Sequence, residues 1–321
     1  MNRHLLARFA ESVFWLARYV ERAENLARIL DVNETFAREA HGGHEWLPVL
    51  QMNADEDRFF ADGRKLTAKA VVAFYVLDRD NPSSIVASLR MARENARALR
   101  HIISTEMWMQ LNVFYNEVAA LNQRDLALAN LSRLCARIKE ACQTHAGITE
   151  GTFYRDEAWC FYAIGKDLER ADQTSRLLDI KYRRLAGAEE TPDSAIDVSQ
   201  WNALLRSVAG YHAFRRSHPR DLSSADVAAF LIHERDFPRS MACCIRQAKV
   251  RFEQLETDHD LPFGRRGSGI LNRMTRTLRP RQRAQVGRDA ARLHAFVDEF
   301  QLQLMALTDE TGRVYFGHTG A

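Results

Sequence analysis

VERAENLARILDV (residues 20–32) and LERADQTSRLLDI (residues 168–180) are two versions of one charged segment. Glu21, Arg22, Ala23, Arg28, Leu30 and Asp31 recur as Glu169, Arg170, Ala171, Arg176, Leu178 and Asp179. Apolar residues flank the charges at intervals of three and four: Val13, Leu16, Val20, Ala23, Ala27 and Leu30 in the first copy, and Phe161, Ile164, Leu168, Ala171, Ser175 and Leu178 in the second. That period places one stripe along a helix, so each segment predicts a long amphipathic helix, the first from about Ala10 to Arg38.

A second pair follows. DRDNPSSIVASLRMA from Asp78 is answered by ERDFPRSMACCIRQA from Glu234, with Arg79, Asp80, Pro82, Ser84, Arg90 and Ala92 repeated as Arg235, Asp236, Pro238, Ser240, Arg246 and Ala248. Asn81 reads as the N-cap of a helix with Pro82 in its first position; Phe237 is a poor cap in the matching place. The copies are 148 residues apart at Glu21 and 156 at Arg79, which requires an eight-residue insertion, and the turn-rich stretch Gly187 to Ser194 is the candidate. The expected fold is all-α: a helical bundle of two internally duplicated halves, 1–147 and 148–321, about a pseudo-two-fold axis in one compact unit. A solenoid generally needs three or more units.

Further helices are expected at about Leu66–Leu77, Glu106–Leu121, Leu126–Thr144, Ser224–Glu234 and Arg283–Leu307, with irregular chain at 39–64 and 257–282. Gly264-Arg-Arg-Gly-Ser-Gly269 reads as a flexible connection, because no strand precedes it and no Gly-Lys-Ser/Thr follows. Only 15 Gly and 7 Pro in 321 residues leave room for long helices. Charges at Arg3, Arg8, Glu11 and Arg18 interrupt the first apolar patches, so neither a signal peptide nor a membrane span is expected, and the chain reads as cytoplasmic. Its five cysteines lack ligand spacing and are expected to be buried thiols.

Glu21, Glu24, Arg28 and Asp31 fall at i, i+3, i+7 and i+10 on one helix face, and Glu169, Asp172, Arg176 and Asp179 reproduce that row. Two readings stand side by side. In one, each helix neutralises itself through Glu24–Arg28 and Arg28–Asp31 and then pairs with its twin. In the other, Arg22, Arg28, Arg170 and Arg176 open into pockets that take carboxylates or phosphates by bidentate hydrogen bonds. Arginines beside the carboxylates would hold them ionised, which suits binding better than proton transfer. No metal is expected, because Glu21 is followed three residues later by Glu24 where a di-metal bundle needs His, and His41 and His44 sit in a Gly-rich stretch. No cofactor motif is present. Residues 262–292 carry nine Arg and a single acid, Asp289, a basic run without interleaved aromatics or a nucleic-acid-binding motif.

FAESVFWLARYVERAENLARILDV, the DRDNPSSI segment running into RENARALRHIISTEMWMQLN, and GKDLERADQTSRLLDIKY together resemble the bacterial alpha-E family, whose helices bear a Glu-Arg motif. The resemblance covers most of the chain and fades at 262–282. It implies an all-helical protein encoded beside, or fused to, a circularly permuted ATP-grasp protein, and often near a transglutaminase-like protein. The expected function is a non-catalytic accessory or substrate-presenting subunit of an ATP-grasp amide-ligase system. The alternative is an enzyme using the charged rows as its active centre, and a lesser one is a nucleic-acid-binding helical protein.

Overall fold

The two charged segments lie on the two longest helices among the described residues, α1 (Ala7–Glu39) and α8 (Glu157–Gly187). The structure, a computed structural model, describes residues 4–39, 46–187, 195–219, 222–279 and 290–318. Between α1 and α8 run α2 (Leu47–Met52), α3 (Glu56–Phe60), α4 (Ala68–Val76), α5 (Ile85–Ala98), α6 (Thr105–Ala119) and α7 (Leu128–Thr152). After α8 come α9 (Ala195–Ser207), α10 (Tyr211–Ser217), α11 (Ser224–His233), α12 (Met241–His259), α13 (Gly264–Thr277) and α14 (Ala290–Thr311), which ends in a π-helical turn at Gly312–Phe316. Every regular element among the described residues is helical, as the three- and four-residue apolar period requires. No described helix is long and apolar enough to cross a membrane.

Several boundaries differ from the sequence reading. The stretch 39–64 holds α2 and α3, and 257–282 holds α13, so neither is wholly irregular. Gly264 to Gly269 opens α13 and is not a connection. Gly267 serves packing there: a Cβ on it would come within 2.5 Å of the Phe263 ring, which stacks on Phe252 at 4.1 Å. His41, His44, residues 188–194 of the candidate insertion and residues 280–289 of the basic run lie outside the described residues.

Asn81 is not the cap of α5. The helix starts at Ile85, and Ser84 caps it, its Oγ accepting the Ala87 N–H at 3.1 Å while donating to the Asp78 carbonyl at 2.5 Å. Asn81 instead organises the turn before the helix: its Oδ1 accepts the Ser83 N–H at 2.9 Å and its amide donates to the Phe74 carbonyl at 3.1 Å. The same device recurs in α12, where Ser240 accepts the Cys243 N–H at 3.0 Å and donates to the Glu234 carbonyl. Phe237 therefore has no capping task; it is buried on Phe230, with ring centroids 4.9 Å apart.

α1 packs most extensively on α8 and next on α5; α8 is covered in turn by α12 and α14, while α7 and α9 lie against α1. Gly165 permits the central contact, since a Cβ there would lie 2.4 Å from the Phe14 carbonyl oxygen. One buried apolar cluster runs from Ala10 to Phe316 and includes Phe14, Leu30, Phe161, Leu178 and Phe252. All five cysteines are free and buried.

Candidate functional site

The paired α1 and α8 bring the two Glu-Arg pairs face to face and exchange their partners. Glu21 is held by Arg170, whose Nε and Nη2 donate to its two oxygens at 2.8 and 2.7 Å. Glu169 is held in the same way by Arg22, at 2.7 and 3.1 Å. Both carboxylates are buried. Each takes a second arginine: Arg239, from the turn before α12, donates to Glu21 at 3.0 Å, and Arg18 of α1 donates to Glu169 at 2.7 Å. Asn25 and Gln173, each one helical turn on, add amide donors at 2.9 and 3.2 Å.

The remaining row residues also act in parallel. Arg28 binds Glu24 at 2.6 Å and donates to the carbonyl of Ser207, the last residue of α9. Arg176 binds Asp172 at 2.7 Å and donates to the carbonyl of Met52, the last residue of α2, at 2.7 Å. Each arginine thus places a cation on the C-terminal end of a short helix, where the backbone dipole is negative. The expected Arg28–Asp31 pair does not form. Asp31 pairs with Lys139 of α7 at 2.7 Å, and Asp179 with His294 of α14 at 2.8 Å, because each aspartate lies a turn further along and faces a neighbouring helix.

This geometry carries the signature used to define a known family. A family model described as a predicted alpha-helical domain with a conserved ER motif matches residues 5–316. The chain belongs to the Alpha-E family. An uncharacterised protein of Mycobacterium bovis is 26% identical over 299 residues, covering 86% of this chain and 32% of its own length. Two uncharacterised proteins of Mycobacterium tuberculosis strains match over the same shares at 26% and 25% identity. The chain thus spans about a third of the length of the curated relatives it matches. No solved structure matches it.

In this Alpha-E chain the ER motif is an electrostatic clamp between helices. Burial alone would raise the Glu21 carboxyl; the charges of Arg170 and Arg239 and hydrogen bonds from Arg170 and Asn25 outweigh it and hold the group far below the carboxylate range. The Glu169 carboxyl, buried between Arg22 and Arg18, is lowered to about 2. Burial lowers Arg22 and Arg170 less than their glutamates raise them, so both are fixed as cations. Arg239 goes the other way: burial and the neighbouring Arg170 charge lower it despite its contacts with Glu21 and Glu24. The layer sets Arg18, Arg22, Arg28, Arg170, Arg176 and Arg239 against Glu21, Glu24, Glu169 and Asp172.

Sequence reasoning singled out neither Arg18 nor Arg239. Both are unmatched between the copies, Lys166 standing opposite Arg18 and Ser83 opposite Arg239, so the repeat carried no signal for them. The second set of repeated polar residues stays outside the layer. Arg79, Asp80, Arg90, Arg235 and Asp236 are exposed, and Arg246 donates to the Arg235 carbonyl at 3.1 Å. Among the described residues no group of His, Cys, Asp and Glu is arranged to hold a metal ion.

Proposed function

We propose that this Alpha-E chain is a non-catalytic helical accessory subunit that works with a circularly permuted ATP-grasp partner in an amide-forming system. The observation that carries the reading is the fate of the ER motif: each motif glutamate is buried and shared by two guanidiniums, Glu169 by Arg18 and Arg22 of α1, and Glu21 by Arg170 of α8 and Arg239 from the turn before α12. A carboxylate held ionised in this way is a poor proton carrier, and the arginines spent on it are not free to bind substrate. The matched stretch forms about a third of the curated relatives, which favours a module acting beside other domains. The partner's class comes from the alpha-E resemblance, as does a transglutaminase-like protein as a second associate. Five free buried cysteines suit the cytoplasm. The shared caps, the exchanged Glu-Arg pairs and the matched helix ends support an internal duplication of the two halves.

The contact surface assigned to the partner is the outer face of α13 with α14. α13 buries Gly267, Ile270, Leu271 and Met274 and turns Arg265, Arg266, Arg273 and Arg276 outward. Such a basic face steers an acidic partner, and the association should weaken as salt rises. Co-purification of the encoded neighbours at low and high salt, with Arg265, Arg266 and Arg273 changed to Ser, checks the contact. The expected result is salt-sensitive capture of an ATP-grasp protein that the substitutions reduce, with no ATP turnover by the chain alone. ATP turnover abolished by Glu21→Gln would replace this reading with the enzymatic one.

A further inference from the structure

α6 packs on α5 and α7 packs on α1, and between α6 and α7 runs a groove of about 510 Å³. Its floor is apolar and buried, formed by Phe114 of α6 with Leu134 and Ile138 of α7. Its rim is apolar and open: Met109 and Val113, one turn apart on α6, are 59% and 54% exposed. Single exposed apolar side chains are ordinary, but neighbours left open together over an apolar floor mark an interaction face. The rim also carries exposed charges of both signs, Arg137 and Glu140 on α7 and Glu117 on α6. None of the three forms an ion pair among the described residues, although Arg137 and Glu140 share a helix face. The two helices run antiparallel, with Ser104 at the start of α6 hydrogen-bonded to Thr152 at the end of α7. Gln110 fixes their relative level, its amide donating to the Ala141 carbonyl at 2.9 Å and its Oε1 lying 3.0 Å from His145 Nδ1. Val113, three residues further along α6, is therefore level with the turn of α7 that carries Arg137 and Glu140.

We propose that this face docks a second copy of the same chain, α6 and α7 of the two copies packing about a two-fold axis that crosses α7 between Arg137 and Glu140. The charge pattern selects that occupant. An axis at that level sets Arg137 of each copy opposite Glu140 of the other, which gives two reciprocal ion pairs, the self-complementary relation of an isologous interface. A rim of both signs favours no partner of a single charge, in contrast to the arginine face of α13, yet it complements itself. The two Val113 side chains meet beside the axis, with Met109 of each copy further out over the groove. The footprint is about 22 Å long, set by the 15 residues of α6, and about 20 Å wide, two helix diameters. Counted over both copies that is on the order of 900 Å², the small end for specific pairs, so the dimer should be weak, with a dissociation constant of roughly 10–100 µM. The face lies apart from α13 and α14, and the proposal does not rest on the accessory reading.

Sedimentation equilibrium of the whole chain from about 5 to about 500 µM, a range that brackets the expected constant, tests it. The expected result is a monomer–dimer equilibrium. Val113→Arg, at an exposed side chain, should leave a monomer whose unfolding midpoint is unchanged. Arg137→Glu and Glu140→Arg should each weaken self-association at least about tenfold, because each sets like charges face to face. An equimolar mixture of those two variants should dimerise about as well as the unaltered chain, since the mixed pair again sets each acid opposite an arginine. A monomer at every concentration, a dimer that Val113→Arg leaves intact, or a mixture no tighter than its separate variants would overturn the proposal. So would saturable binding of the apolar dye 8-anilinonaphthalene-1-sulfonate to a monomeric chain, lost in Val113→Arg, which would give the groove to a small apolar ligand.

Discussion

Arg28 and Arg176 occupy matched positions yet differ in burial, and that difference sets what each is worth. Arg28 is about 4% exposed and serves Glu24 and the end of α9; Arg176 is 26% exposed and serves the half-buried Asp172 and the end of α2. Arg28→Met should therefore destabilise by about 2–3 kcal/mol, because it leaves the buried Glu24 with Arg239 alone and takes the cation from the end of α9. Arg176→Met should cost less, about 1–2 kcal/mol, because water reaches Asp172 once the arginine is gone. Arg239 supplies the sharper contrast. Removing it leaves Glu21 with Arg170 and Glu24 with Arg28, and relieves a cation that burial and Arg170 disfavour. Arg239→Met should cost less than Arg170→Met, which takes the bidentate partner from Glu21. Denaturant midpoints of the four variants check the order, and equal losses for Arg239 and Arg170 would contradict this account of the layer.

At the scale of elements, the same serine device starts α5 and α12. Loss of such a cap typically costs about 1 kcal/mol, and here each hydroxyl also ties the preceding turn through the Asp78 or Glu234 carbonyl. Ser84→Ala and Ser240→Ala should each destabilise by about 1–2 kcal/mol, whereas Asn81→Ala should leave the helical content of α5 in place; amide hydrogen exchange over Ile85–Leu89 separates the two effects. The α1–α8 crossing responds differently. The atom facing Gly165 is backbone and cannot rotate away, so Gly165→Ala must move one helix along or off the other. The expected cost is about 1–3 kcal/mol despite the better helix propensity of alanine, measured by thermal or denaturant unfolding. A stabilised Gly165→Ala variant would show that the crossing is not tight.

At the scale of the molecule, acid should unfold the chain in two stages. His145 of α7 is buried, and burial alone lowers its pKa from 6.5 to about 4. The unfolded chain takes up that proton first, so stability falls as pH drops below about 6.5 and this contribution is complete near pH 4. The clamp acts lower. Glu169 is depressed to about 2 in the fold against about 4.3 unfolded, and Glu21 lies lower still. Its stabilisation is fully present above the unfolded value and is lost as pH falls through the folded one, between about pH 4 and 2. His145→Gln should flatten the upper stage and Glu169→Gln the lower. Unfolding curves collected across this range would contradict the assignment if either substitution left its stage intact.

The helical class and the identity of the clamp residues were legible in the chain because both depend on local spacing. A period of three and four residues specifies a helix wherever it occurs, and the recurrence of Glu21, Arg22 and Arg28 as Glu169, Arg170 and Arg176 marked side chains with specific partners. Which partners they have was decided by tertiary structure. The row's internal spacing favoured Arg28–Asp31, yet Asp31 went to Lys139 and Asp179 to His294, since a charge pairs with whatever a neighbouring helix presents at hydrogen-bonding distance. Arg18 and Arg239 reach the layer from unmatched positions, and the groove between α6 and α7 is lined by two helices outside both pairs of repeated segments. Spacing along the sequence thus determined the faces, and the close crossing of α1 over α8 determined which charges meet, because Coulomb and hydrogen-bond energies depend on distances that only packing sets.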